Sequence, residues 1–388
     1  MKNLVQNGKS AIVWLCSAHL VCDVYGGFLN PLMPFIASKL GFTMALATVL
    51  MAITQICSNM LQPIFGFFAD NILKRFFVFW GVILASVFIP LAPSAPNVYL
   101  LTLFMILGCL GGSFFHPQSM GFVNYFSGKN CSNNMGVFIS LGSLGFAIGP
   151  LVAALMVQNL GLDKMFYTSF AGLLLALVMF LFVPKLSNVE KKPEHKSFVA
   201  SFKEILSSRQ MNYLMLIAMM KSLVTNSSCI LLPFLWKSMG YSPFYIGFAL
   251  FLFIFMGGIG SMLSGYLEAK IGPKPVFYIS MIGTLPLMYL FFFTYKAHPY
   301  LSILIFVMTG FITMLAMPVT MVMAQKIIPD LKSIISGFIN GFSWGTVALF
   351  MSLVGFSAQK FGIINVLMIL AFIPTIASLL VRLLPDEK

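Results

Sequence analysis

LMPFIASKLGFT, residues 32–43, returns later in the chain as LLPFLWKSMGYS, residues 231–242, so residue 32 aligns with residue 231 at an offset of 199. The same offset aligns GFFADNILKR (66–75) with GYLEAKIGPK (265–274). The first pair falls at the end of an apolar run. The second falls in the polar turn after the next run. Agreement in register, turn length and place divides the chain into two copies of one unit, and a parallel repeat on this scale governs the whole architecture.

What lies between the repeated stretches is apolar. Of the 388 residues, 59% are hydrophobic and 9% are charged, with a mean hydropathy of +0.96. Soluble domains carry about 25% charged residues. Twelve apolar segments can be marked, at 11–38, 44–69, 76–92, 99–126, 134–157, 165–184, 211–236, 244–269, 276–295, 300–325, 334–357 and 363–383. Each is long enough, or nearly so, to cross a bilayer as a helix. The expected fold is an all-α membrane protein with twelve transmembrane helices in two pseudo-symmetric six-helix bundles. The bundles span 1–184 and 211–388, joined by a polar linker at 185–210. The first apolar run continues to about Phe35, longer than the core of a signal peptide, and reads as a membrane anchor.

Charge sets the expected orientation. With the N-terminus inside, Lys and Arg in alternate loops number 17 inside and 5 outside, and Lys221 within a helix completes the 23. The positive-inside rule then places both termini in the cytoplasm. This distribution accounts for much of the net charge of +13, and no nucleic-acid partner is expected. The six cysteines (16, 22, 57, 109, 131 and 229) lack metal-ligand or disulfide spacing and read as small packing residues. GFSWG (341–345) matches a nucleophile-elbow pattern but sits in an apolar helix, where Gly337, Gly341 and Gly345 make a packing face. No enzyme is expected. The methionines around 308–323 read as gap-filling material, and no metal site is expected.

Ionisable residues within apolar segments are the functional candidates. In CSAHLVCDVYGG (16–27), His19, Asp23, Gly26 and Asn30 follow at i, i+4, i+7 and i+11, one face of one helix. Asp23 is the expected proton-binding carboxylate, tuned by His19. His116, beside Pro117 in the fourth segment, is the third member of the proton-coupling set; a buried, satisfied polar pair is the plain alternative. Lys221 lies about ten residues into the seventh segment, with Thr225 and Ser228 continuing its face. The repeat maps Asp23 onto Ser222, next to Lys221, so the two first helices could bring opposite charges together. Expected substrate contacts are Lys221, Asn30, Gln55, Asn59, Gln62, Thr225 and Asn340.

Two further patterns carry a family resemblance. Gly66, Asp70, Lys74 and Arg75 in GFFADNILKR resemble the loop signature of the major facilitator superfamily, which implies a conformational latch. Gly136, Gly145, Gly149 and Pro150 in the fifth segment are similar to the antiporter signature of its drug exporters, although Ala153 and Ala154 replace a later glycine pair. The arginine those exporters often carry in the fourth helix is absent around Phe104, Met105 and Ile106. The second repeat has Ala269 where the first has Asp70, with Glu268 offset by one.

Together with AHLVCDVYGGFLNPLMPF, NMLQPIFGFFAD, GSFFHPQS and MAQKIIPDLKSIISGFINGF, these stretches resemble the fosmidomycin resistance family over nearly the whole chain. The resemblance implies proton-driven efflux of a small molecule across a bacterial inner membrane, without a cofactor, by a monomer whose partners are cargo, protons and lipid. It carries over His19, Asp23, Gln62, Pro63, Asp70, His116, Pro117 and Lys221. A proton-coupled nutrient symporter and a metal-chelate or siderophore exporter are the rival readings on the same fold.

Overall fold

The computed structural model describes residues 2–65, 76–127, 131–183, 198–328, 335 and 338–385, and every regular element among them is a helix. Along the chain come α1 (Lys2–Gly26), α2 (Leu29–Leu40) and α3 (Met44–Gln55), which runs into a π-helical turn, Ile56–Met60. Then follow α4 (Phe76–Leu91), α5 (Val98–Ser127), α6 (Cys131–Leu160) and α7 (Ser169–Phe182). A short α8 (Phe198–Ser207) leads into α9 (Arg209–Ser238), α10 (Pro243–Ile271), α11 (Pro273–Thr294), α12 (Pro299–Met314) and α13 (Ala316–Ile327). A second π-helical turn, Phe338–Phe342, opens α14 (Ser343–Phe361), and α15 (Ile363–Leu370) and α16 (Phe372–Val381) close the chain.

Among the described residues, eleven stretches are long and apolar enough to cross a membrane. In the remaining apolar segment, 334–357, the residues described from 338 onward form the second π-helical turn followed by α14. An all-helical solution follows from the solvent. Hydrocarbon offers backbone N–H and C=O groups no partners, so each span must satisfy them internally.

The repeat that organises the sequence is also present in the backbone. Gly41 and Gly240, 199 positions apart, both have positive φ, +71° and +82°. Each closes a helix in the left-handed conformation that glycine adopts at no steric cost. The bonds around them match as well: Phe42 N–H donates to Ala37 O at 3.1 Å, and Tyr241 N–H to Trp236 O at 3.0 Å. A third pair repeats at the start of the following helix. Ala45 N–H is capped by Gln359 Oε1 at 3.0 Å, and Phe244 N–H by Gln158 Oε1 at 3.1 Å.

The chain separates into two compact units, the first comprising Met1–Thr43, Leu50–Lys191 and Trp236–Phe251, the second Met44–Val49, Lys192–Leu235 and Leu252–Lys388. In the first unit, α6 lies against α1 with almost no gap. A Cβ added at Gly145 would collide with the Leu20 carbonyl, and one at Gly149 with that of Val24. Small residues permit such approach where helix association depends on packing rather than on expulsion of water. The break between α1 and α2 has the same origin. Gly27 there sits against Phe146 O, Gly149 Cα and the Pro150 ring. Elsewhere in this unit Lys237 Nζ donates to Pro34 O at 2.9 Å and to Ser38 Oγ. The second unit is built on a core in which Met211, Leu214 and Ile217 of α9 meet Phe277 and Met281 of α11, with Val319, Met323 and Val381 around them.

Candidate functional site

In the first unit, α1, α5 and α6 bring three titratable side chains together. His19 and Asp23 share a face of α1, with His19 Nε2 3.3 Å from Asp23 Oδ2. From α5, His116 Nε2 lies 3.4 Å from Asp23 Oδ1. The carboxylate therefore stands between two imidazoles, one at each oxygen. His19 is buried, whereas the side chains of Asp23 and His116 keep 21% and 19% of their surface exposed. The acid and the second imidazole are therefore partly open, and the first imidazole is enclosed.

One bond decides what this cluster can hold. His19 Nδ1 is 2.7 Å from the Phe138 carbonyl oxygen. A carbonyl only accepts, so Nδ1 carries the hydrogen. The other ring nitrogen, Nε2, faces Asp23 with its lone pair when the imidazole is neutral. A carboxylate oxygen and a bare ring nitrogen do not attract each other, so the 3.3 Å contact is a hydrogen bond only when one proton lies between them. The geometry of the pair accommodates one shared proton. His116 provides a second basic nitrogen on the other oxygen.

The His19 ring is locked from both sides. Phe138 stacks on it with ring centroids 4.0 Å apart and planes 25° from parallel, and His116 meets it edge-on at 5.0 Å. Gly142 of α6 lies directly against the ring, where an added Cβ would overlap it. Further along α1, Tyr25 Oη donates to Thr168 O at 2.7 Å and accepts from Gly172 N–H at 3.0 Å. These bonds fix the helix two residues beyond Asp23.

The polar face of the second span adjoins α5. The π-helical turn displaces carbonyls from their normal partners, and Cys57 O accepts from Ser113 Oγ of α5, with Ser58 Oγ donating to Cys109 O at 3.4 Å. Asn59 Nδ2 donates to Gln55 O at 3.1 Å, and Gln62 Nε2 to Ser58 O at 2.7 Å. Gln55, Asn59 and Gln62 are all half-buried. On α2, Asn30 Oδ1 is buried without a hydrogen-bond partner among the described residues.

In the second unit, α9 carries a run of buried polar residues: Lys221, Ser222, Thr225, Asn226, Ser227 and Ser228. Lys221 is 5% exposed. Among the described residues, the recorded ion pairs are those of Asp23 with His19 and His116 and that of Lys39 with Asp163. Thr225 Oγ1 lies 3.4 Å from the Lys221 carbonyl and Ser228 Oγ donates to Val224 O at 2.9 Å, so these hydroxyls turn back onto their own helix.

The expected latch, Gly66, Asp70, Lys74 and Arg75, lies outside the described residues, as does the side chain of Asn340. Within the glycine pattern of α6, Gly145, Gly149 and Pro150 form the contact with α1 and the turn at Gly27, while Gly136 is exposed with no neighbour to an added Cβ among the described residues. Sequence reasoning missed Gly142 and the Phe138 carbonyl. A signal for the first existed, since Gly142, Gly145 and Gly149 recur at i, i+3 and i+7, one helix face. None existed for the second, because every residue carries a carbonyl.

Two overlapping stretches, residues 15–227 and 214–388, match the family model described as Major Facilitator Superfamily. The fosmidomycin resistance protein of Escherichia coli (strain K12) is 25% identical over 389 aligned residues, covering 96% of this chain and 91% of that protein. The multidrug resistance protein MdtG of Klebsiella pneumoniae (strain 342) is 25% identical, covering 68% of this chain and 67% of its own. Among solved structures, the nucleoside transporter NupG superposes with a TM-score of 0.76 at 15% identity, over 96% of this chain and 99% of that one.

Proposed function

This chain belongs to the Major Facilitator Superfamily, and from that premise we propose that it exports a small organic molecule bearing an anionic group in exchange for protons. The observation that carries the reading is the bracketing of Asp23 by His19 and His116 at 3.3 and 3.4 Å. With both imidazoles neutral the cluster has a charge of −1. One proton makes it neutral, and a second makes it positive. A partly exposed ionisable cluster that changes sign within a membrane span is the equipment of a proton-coupled carrier.

Lys221 supports the anionic cargo. A buried ammonium without a carboxylate partner among the described residues is costly, and a carboxylate, phosphate or phosphonate arriving from outside offsets that cost. Relatives named for resistance to fosmidomycin and to multiple drugs support the outward direction. Asn30, Gln55, Asn59, Gln62, Thr225 and Asn340 complete the proposed cargo contacts. The proposed location is a bacterial inner membrane, with both termini cytoplasmic and the monomer as the working unit.

The test uses everted vesicles that report internal acidity through a quenched dye, with fosmidomycin as the first anionic probe. Cargo should collapse the acidification in the wild type, and Asp23→Asn should remove that response while the protein still inserts. An unchanged response in Asp23→Asn overturns the assignment. Lys221→Ala in the same vesicles should weaken anionic cargo more than neutral cargo, and equal loss of both would refute the anion role.

A further inference from the structure

We propose that the His19–Asp23–His116 cluster also binds a divalent transition-metal ion, with the two imidazole Nε2 atoms and the Asp23 carboxylate as its protein ligands. The chemistry of the set comes first. Two imidazoles and one carboxylate suit zinc, cobalt or nickel and disfavour magnesium and calcium, which prefer all-oxygen shells. The geometry agrees. One ligand atom from each residue can be chosen so that all lie within 4.8 Å of one another. A tetrahedral ion about 2.0–2.1 Å from each ligand needs them about 3.3 Å apart. The two nitrogen-to-carboxylate distances are 3.3 and 3.4 Å but run to opposite oxygens of Asp23, so an ion seated between the imidazoles would take the carboxylate through both oxygens, or through one after a small turn of the carboxyl group.

The surroundings are those of a built site rather than a chance cluster. A metal-ligating histidine characteristically donates its other ring N–H to a carbonyl or carboxylate, which aims the free lone pair at the ion. The bond from His19 Nδ1 to Phe138 O does this at 2.7 Å. Stacking by Phe138 and the close approach of Gly142 remove the ring's freedom to turn away. Partial exposure of Asp23 and His116 leaves an entry path and room for water as the remaining ligand.

Occupation would take up the nitrogen and oxygen lone pairs that otherwise hold protons. The ion is therefore an inhibitor of the carrier, a consequence that rests on the proton-coupled reading above; binding itself does not.

The experiment titrates the full chain in detergent, tag removed and stripped with EDTA, with cobalt(II). The wild type should show the intense visible bands of tetrahedral or five-coordinate cobalt at one equivalent, bleached by zinc and unaffected by excess magnesium. His116→Ala and Asp23→Asn should weaken binding more than ~10-fold, and His19→Gln serves where either elutes as aggregate. His298→Ala, at an exposed histidine elsewhere, should leave the titration unchanged. Absence of the bands, displacement by magnesium, or bands that survive in the cluster variants but vanish with His298→Ala would overturn the site. If the bands appear as expected yet zinc leaves vesicle transport untouched, the metal site stands and the proton reading of the cluster falls.

Discussion

Gly142 has no polar atom in its side chain, yet it governs the chemistry of His19. An alanine there would place a methyl group inside the imidazole ring, and either the ring swings off the Phe138 carbonyl or α6 withdraws from α1. Overpacking of this kind costs about 1–3 kcal/mol. Gly142→Ala should therefore lower thermal stability modestly and also shift the pH profile of transport, because the bond that fixes the His19 tautomer is disturbed. A melting shift with an unaltered pH profile would show that Gly142 acts on packing alone. Polar groups facing the ring are Asp23 on its own helix, α1, His116 on α5 and the Phe138 carbonyl on α6. His19 and Asp23 were legible as candidates from their spacing alone. Their coupling to His116, 97 positions away from His19, was open in the sequence to a separate guess but not to a distance.

At the scale of the element, α6 shows that a spacing pattern and a contact surface are different things. The sequence pattern groups Gly136 with Gly145 and Gly149. In the fold, Gly145 and Gly149 press on carbonyls of α1, whereas a Cβ at Gly136 meets nothing within 4 Å among the described residues. Gly149→Leu should thus abolish transport and reduce the folded yield. Gly136→Leu should be tolerated, since an exposed helix position gains propensity by losing glycine. Comparable damage from both, measured by vesicle flux and by monodisperse elution, would contradict this division. The π-helical turn at Ile56–Met60 belongs to the same scale. Apolar periodicity does not reveal it, and its Cys57 carbonyl is bonded by a residue of another helix, Ser113 of α5.

For the whole molecule, the loop charges and the helix count make a joint prediction about the membrane. Alkaline phosphatase needs the oxidising side to form its disulfides. Fused after residue 388 it should be inactive, and fused in the short loop at 93–97 it should be active. The reverse pattern would invert the orientation drawn from the 17-to-5 distribution of Lys and Arg. The helical class, the number of segments and the duplication were all readable from the chain, because a bilayer imposes length and hydropathy on every span and the repeat preserves capping glycines such as Gly41 and Gly240. What only the tertiary structure decided is which polar groups meet. The spacing of His19 and Asp23 put them on one helix face, but nothing in the sequence brought His116 to the same carboxylate. The short bracket between His19 and His116, and the carbonyl that orients one of them, depend on how closely α1, α5 and α6 approach. That approach is set by side-chain volume at the contact, which hydropathy does not encode.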